Sequence, residues 1–183
     1  VAFGSSMGGY AALRYGGWVG AGVAFALSPQ FSIDRRKAGF EHRWKSLRNR
    51  IDFTNEVSGS RFVPSAFIAY DPYSLDVRHV DLIRQHTHVT DIRVLNSGHP
   101  CTGYLSELGL LQEAVVDLAG GTFDPLALQR RTRVLRKNTG QFYARLSRRA
   151  HTDGLSRTLL ERAVERWPQD IGYLRQLAFL TGV

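Results

Sequence analysis

The chain has 183 residues, 43% of them hydrophobic and 22% charged. That is room for one domain, or one domain with a small appendage, and it excludes a collagen-like or wholly disordered chain. A single cysteine excludes an internal disulfide and a site of clustered cysteines. No apolar run reaches the roughly 18 residues of a membrane span, and no charged segment followed by an apolar core marks a signal peptide. The expected setting is cytoplasmic.

The net charge of +8 is unevenly placed. Residues 1–120 hold 12 Lys/Arg against 11 Asp/Glu, whereas residues 121–183 hold 12 against 5. Arg130 to Arg149 contains eight basic residues and no acid. A solvated helical face is the favoured reading of this stripe. An anionic surface is the alternative partner, and no nucleic-acid motif accompanies the charge.

Strand-like and helix-like stretches alternate along the chain. Val1-Ala2-Phe3 reads as the end of a strand and runs into a glycine-rich turn. Tyr10 to Tyr15 reads as helix, ended by Gly16-Gly17. Ala21 to Leu27 is a short continuous apolar run, as a strand buried on both faces requires. Residues 34–60 form a polar, partly helical excursion or cap anchored by Trp44 and Phe53, expected to shape the substrate pocket. Phe62 to Tyr70 is the next strand, and Asp76 can cap a helix running to about Gln85. Val89 to Leu95 alternates like a strand nearer the sheet edge. Leu105 to Leu118 is predicted as one helix, closed by Gly120-Gly121. Strands separated by helices imply βαβ units and a parallel sheet of about four strands. The expected fold class is α/β with an all-α C-terminal appendage. Its predicted parts are residues 1–120, a basic helical linker over 121–150 and a helical piece over 151–183.

The strongest chemical signal opens the chain. Gly4-Ser5-Ser6-Met7-Gly8-Gly9 fits G-x-S-x-G between an apolar strand and a helical run, the context of a nucleophile elbow. The tight turn would lift the Ser6 hydroxyl above the sheet edge, and glycines flank it because a Cβ there would clash. The Met7 N–H would be an oxyanion donor. A serine nucleophile needs a base and an orienter, in the chain order Ser, acid, His. Of six histidines, only His99, in Asn96-Ser97-Gly98-His99-Pro100, follows the last strand on a glycine turn. His79, His86 and His88 lie on or beside the preceding helix, where solvated roles are usual. Asp71 and Asp76 are the candidate acids. Asp71 is favoured because it stands at the end of a strand, and Asp76 is second because helix capping already explains it. Cys101 reads as a small buried residue at a helix start.

Phe3-Gly4-Ser5-Ser6-Met7-Gly8-Gly9-Tyr10-Ala11-Ala12-Leu13 resembles the elbow of the α/β-hydrolase superfamily, especially its esterase-like members. The Asp71-Pro72 and Gly98-His99 loops resemble the family's acid and histidine loops in order. The Asp71-to-His99 spacing is typical of that family, with Asp76 closer to the histidine than usual. The resemblance covers roughly residues 1–119. It implies a chain beginning at the fifth of eight strands, without the loop that supplies a second oxyanion donor, and such a piece alone would be inactive.

A second, weaker resemblance lies in Leu159 to Pro168 followed by Tyr173, Leu177 and Ala178, which looks like a junction of tetratricopeptide repeats. It implies a protein partner on the C-terminal helices.

These readings converge on a serine hydrolase acting on an ester, thioester or amide of a small molecule or glycan, most simply a carboxylic ester, with acyl transfer as a variant. Ser6 is the nucleophile, His99 the base, Asp71 the orienter and Met7 N–H the oxyanion donor. No metal or organic cofactor is called for. The alternative is a non-catalytic α/β-hydrolase-like interaction protein of surface-glycan or secretion machinery.

Overall fold

Four strands, β1 (Ala2–Ser5), β2 (Val23–Leu27), β3 (Ser65–Tyr70) and β4 (His88–Arg93), lie side by side in chain order as one all-parallel sheet. The computed structural model describes residues 1–53 and 61–182. Residues 54–60 of the expected excursion lie outside the described residues.

The alternation within β2 decides what covers each face of the sheet. Ala24 and Ala26 point to one side and Phe25 and Leu27 to the other. On the alanine side lie α1 (Met7–Tyr15) and α3 (Asp76–Ile83), whose Ala12, Leu13, Val80 and Ile83 bury against Ala66 and Ile68. Small strand residues let these helices approach closely. On the other side Phe25, Leu27, Ile92 and Val94 meet Tyr104 and Leu105 of α4 (Thr102–Glu107) and Leu110 and Ala114 of α5 (Leu110–Gly120). Each fully buried side chain of this size contributes about 1.5–3 kcal/mol.

The single helix expected over Leu105 to Leu118 is two. Gly109 takes a left-handed conformation (φ 69°) and turns the chain between α4 and α5. Helix α1 starts three residues earlier than expected, directly after Ser6. Between β2 and β3 the described part of the excursion holds one short helix, α2 (Lys45–Arg48).

Among the described residues the α-helices that follow are α6 (Pro125–Leu135), α7 (Gly140–Ser147), α8 (Asp153–Arg166) and α9 (Ile171–Thr181). Each is started by a side-chain oxygen that accepts from the first-turn backbone: Asp124, Thr139, Thr152 and Asp170. Their buried Leu128, Phe142, Leu160, Ala163 and Tyr173 are continuous with the core over β2 to β4. Gly140 is where α7 meets α8 and α9. A Cβ there would stand 2.8 Å from the Ala163 carbonyl oxygen and 2.7 Å from Tyr173 Cε2. Among the described residues no helix is long and apolar enough to cross a membrane.

Candidate active site

The candidate residues gather at the carboxyl ends of the parallel strands, where open α/β sheets generally place ligands. Ser6 follows β1 and precedes α1. Its backbone sits at φ 52° and ψ −115°, outside the regions a side chain prefers. The neighbouring sheet holds it there: Ser6 N–H donates to the Leu27 carbonyl at 2.9 Å. Gly4 is required, because a Cβ on it would stand 2.1 Å from the Gly8 carbonyl oxygen. Gly9 is tight against Pro29, with a Cβ reaching its Cβ at 3.2 Å. Gly8 differs from the expectation, since a Cβ there meets nothing within 4 Å. Its place in the pattern is not steric.

The Ser6 hydroxyl lies 3.1 Å from His99 Nε2. On the far side of the ring, Nδ1 is 3.0 Å from both carboxylate oxygens of Asp76. An ionised carboxylate only accepts, so Nδ1 carries the proton and Nε2 is left to accept from Ser6. Asp76 is fully buried and the His99 side chain nearly so. Burial alone would push the Asp76 carboxyl up, but His99 and then Arg43 outweigh it and hold the carboxyl below its usual range.

The structure therefore joins Ser6 and His99, as expected, to Asp76 rather than to the favoured Asp71. Asp76 is the first residue of α3 and caps nothing. The hydroxyl of Ser74 instead accepts from Asp76 N–H at 3.1 Å, which frees the carboxylate to turn towards His99. Asp71 is spent on backbone. It accepts from Gly98 N–H at 2.8 Å, Tyr73 N–H at 3.0 Å and Asn96 N–H at 3.3 Å. These bonds pin the loop that carries His99. The same loop is held from outside by Gln141, whose Nε2 donates to the Ser97 carbonyl. Met7 is the first residue of α1, so its N–H has no acceptor within the helix and lies at the positive end of the helix dipole.

Sequence reasoning missed the groups behind Asp76. Arg43 donates from Nη1 to Asp76 Oδ1 at 2.8 Å and from Nε to both oxygens of Glu41 at 3.0 Å. Glu41 is fully buried and also accepts from His79 Nε2 at 2.9 Å. The opposite nitrogen of His79 accepts from Phe31 N–H at 3.1 Å, which fixes the tautomer. His79 was expected to be solvated and is wholly buried. Burial raises the Glu41 carboxyl, but the bonds from Arg43 and His79 win and bring it to about 2. Burial lowers His79 below its ordinary value despite Glu41. An acid and a basic residue two apart in an irregular segment gave no periodic signal of this arrangement.

Cys101 is buried as expected. Its backbone N–H donates to the Ser28 hydroxyl at 3.1 Å, and burial pushes the thiol up to about 12. Such a thiol is inert at neutral pH.

Two cavities flank the Ser6–His99 pair. One, of about 520 Å³, reaches Met7 and is lined mainly by Tyr10, Ala11, Ile33, Ile51 and Phe53, with the polar Gln30, Ser32 and Asp52 among them. The other, of about 370 Å³, reaches His99 and is lined by Arg43, Tyr73, Arg145, Arg148 and Arg149. Among the described residues no group of three or more His, Cys, Asp or Glu is gathered as a metal site. Comparison with protein-family models, curated proteins and solved structures found no match to this chain.

Proposed function

We propose that the protein is a serine hydrolase of the α/β-hydrolase kind, acting on a carboxylic ester through an acyl-enzyme. One observation carries the reading: Ser6 Oγ, His99 and Asp76 form a continuous hydrogen-bonded relay of 3.1 and 3.0 Å. His99 Nε2 takes the hydroxyl proton as Ser6 Oγ bonds to the carbonyl carbon. The carbonyl π electrons move onto oxygen, which the Met7 N–H faces. The intermediate collapses, the bond to the leaving alcohol breaks, and His99 returns the proton to that alcohol. Water then repeats the sequence, releasing the acid and free Ser6. Asp76 keeps the proton on Nδ1 and stabilises the imidazolium.

The strained Ser6 backbone and the parallel sheet beneath it support the same reading. Within it, the paired α8 and α9 would be an appended helical hairpin suited to a protein partner, and a cytoplasmic setting accompanies the single buried thiol.

A fluorophosphonate probe tests the assignment on the full-length protein. Labelling is expected on Ser6. The Ser6→Ala variant should lose it and should lower kcat by about 10³–10⁶-fold. Labelling that persists in the variant, or that maps to Ser5, overturns the reading. Ser5 Oγ is already bonded to the Thr102 hydroxyl.

A further inference from the structure

The cavity beside His99 is cationic in a way the proposed chemistry does not use. Four arginines line it: Arg43, Arg145, Arg148 and Arg149. Arg43 is paired with two carboxylates, Glu41 and Asp76, and adds no free positive charge. The other three make no ion pair among the described residues. Arg148 donates to the neutral Gln176 Oε1, at 3.3 Å from Nε and 3.2 Å from Nη2. Arg149 donates to Asn96 Oδ1 at 3.0 Å and lies over the Tyr73 ring at 4.2 Å. Arg145 packs against Gly98, the residue before His99, so closely that a Cβ on Gly98 would stand 2.2 Å from its Cζ. Asp71, the cavity's remaining carboxylate, is committed to three backbone N–H groups. Burial and then the nearby Arg148 hold the Arg145 guanidinium below its ordinary value, against the opposing pull of Asp71 and Asp76.

The direction of catalysis says which part of a substrate meets these arginines. The leaving alcohol takes its proton from His99 Nε2, so it departs within hydrogen-bond reach of that atom. The cationic cavity reaches His99, while the mainly apolar cavity reaches Met7, the residue proposed to supply the oxyanion donor. We infer that the alcohol portion of the substrate carries an anionic group, a carboxylate or a phosphate, bound by Arg145, Arg148 and Arg149, while the acyl portion is apolar. This rests on the assignment of Ser6 and His99 made above. Planar guanidinium forks match both anions, and each charge-assisted bond made near a partly desolvated cation discriminates strongly against a neutral analogue.

Three aryl butyrates test it: the para-carboxymethylphenyl, para-phosphonomethylphenyl and para-carbamoylmethylphenyl esters. The methylene insulates the phenol, so the three differ in charge more than in reactivity. At low salt, kcat/KM for one anionic ester should exceed that for the neutral amide by about 10–100-fold. Which anion wins identifies the source. The ratio should fall towards one in the Arg145→Gln, Arg149→Gln double variant and in high salt. Equal rates for charged and neutral esters in the unsubstituted protein overturn the inference, as does a preference that survives the double substitution in a variant that keeps its native circular dichroism. A binding arm separates this inference from the hydrolase reading. Calorimetric titration of Ser6→Ala with the corresponding free phenols should show an anionic phenol binding at least about tenfold tighter than the amide. That result without turnover of any ester upholds the anion site and removes the hydrolase. Equal binding of charged and neutral phenols removes the anion site whatever the turnover.

Discussion

Arg43 stands 33 residues before Asp76 in the chain, and its guanidinium bonds the carboxylate at 2.8 Å while gripping Glu41 with the same fork. The irregular segment after β2 is thereby tied to the helix that bears the proposed orienter. Arg43→Met would leave two buried carboxylates without their cation. A loss of about 3 kcal/mol is expected in urea melts, the low end for buried pairs because Arg43 keeps some solvent access. Arg43→Lys should recover only part of it, since an ammonium cannot fork. Wild-type stability in Arg43→Met would show that the pair holds nothing together.

The two aspartates should separate cleanly. Asp76→Asn removes control of the His99 tautomer and should cut kcat by about 10²–10⁴-fold with the fold intact. Asp71→Asn places an amide among three backbone donors. It should cost about 1.5–3 kcal/mol of stability and loosen the loop that carries His99. Kinetics and thermal melts on both variants decide this, and the opposite pattern would return the orienting role to Asp71.

Acid should destabilise the protein through the network behind Asp76, and the sign follows from both groups. The Glu41 carboxyl falls from 4.5 to about 2 on folding, so its contribution is present above pH 4.5 and lost as pH falls towards 2. His79 is held below 6.5 by burial, so the unfolded chain takes up a proton below that pH while the folded chain resists it. Stability should therefore decline from about pH 6.5 downwards. Glu41→Gln should be less stable near neutrality yet show a flatter decline between pH 4.5 and 2. Parallel thermal melts across that range would expose a parallel decline in the variant, which is the contrary outcome.

The glycines of the elbow are not equivalent. Gly4→Ala drives a Cβ into the Gly8 carbonyl and should abolish both folding of the turn and probe labelling. Gly8→Ala meets open space inside a helix and should be neutral or stabilising by up to about 1 kcal/mol. Thermal melts of the pair test this, and equal damage from both would contradict the geometry.

Several of these relationships were legible from residue order, and the others have physical reasons for being hidden. The continuous apolar run ending at Leu27 suits a doubly covered strand, and it is β2. The Gly98-His99 turn after β4 announced itself through its glycine, whose φ of 66° brings it under Arg145. Asp76 was obscured because an aspartate opening a helix has a sufficient reason to be there, and the Ser74 hydroxyl that takes over the capping bond is as unremarkable as any loop serine. Glu41, Arg43 and His79 converge across the gap between a loop and a helix. No periodicity encodes that kind of meeting. The turn at Gly109 is hidden for the opposite reason, since the apolar pattern continues on both sides of it.

The sheet grows in the order in which the ribosome delivers it, each new strand joining the open edge of the last. The histidine that Ser6 bonds lies 93 residues further on. At typical elongation rates that interval is on the order of 5 to 20 s. Throughout it the Ser6 hydroxyl has no His99 to bond. Arg145, whose guanidinium covers the histidine loop, follows later still. The Ser6–His99 pair therefore forms only after all four strands have been delivered, and under the proposed reading the hydroxyl is no nucleophile before then.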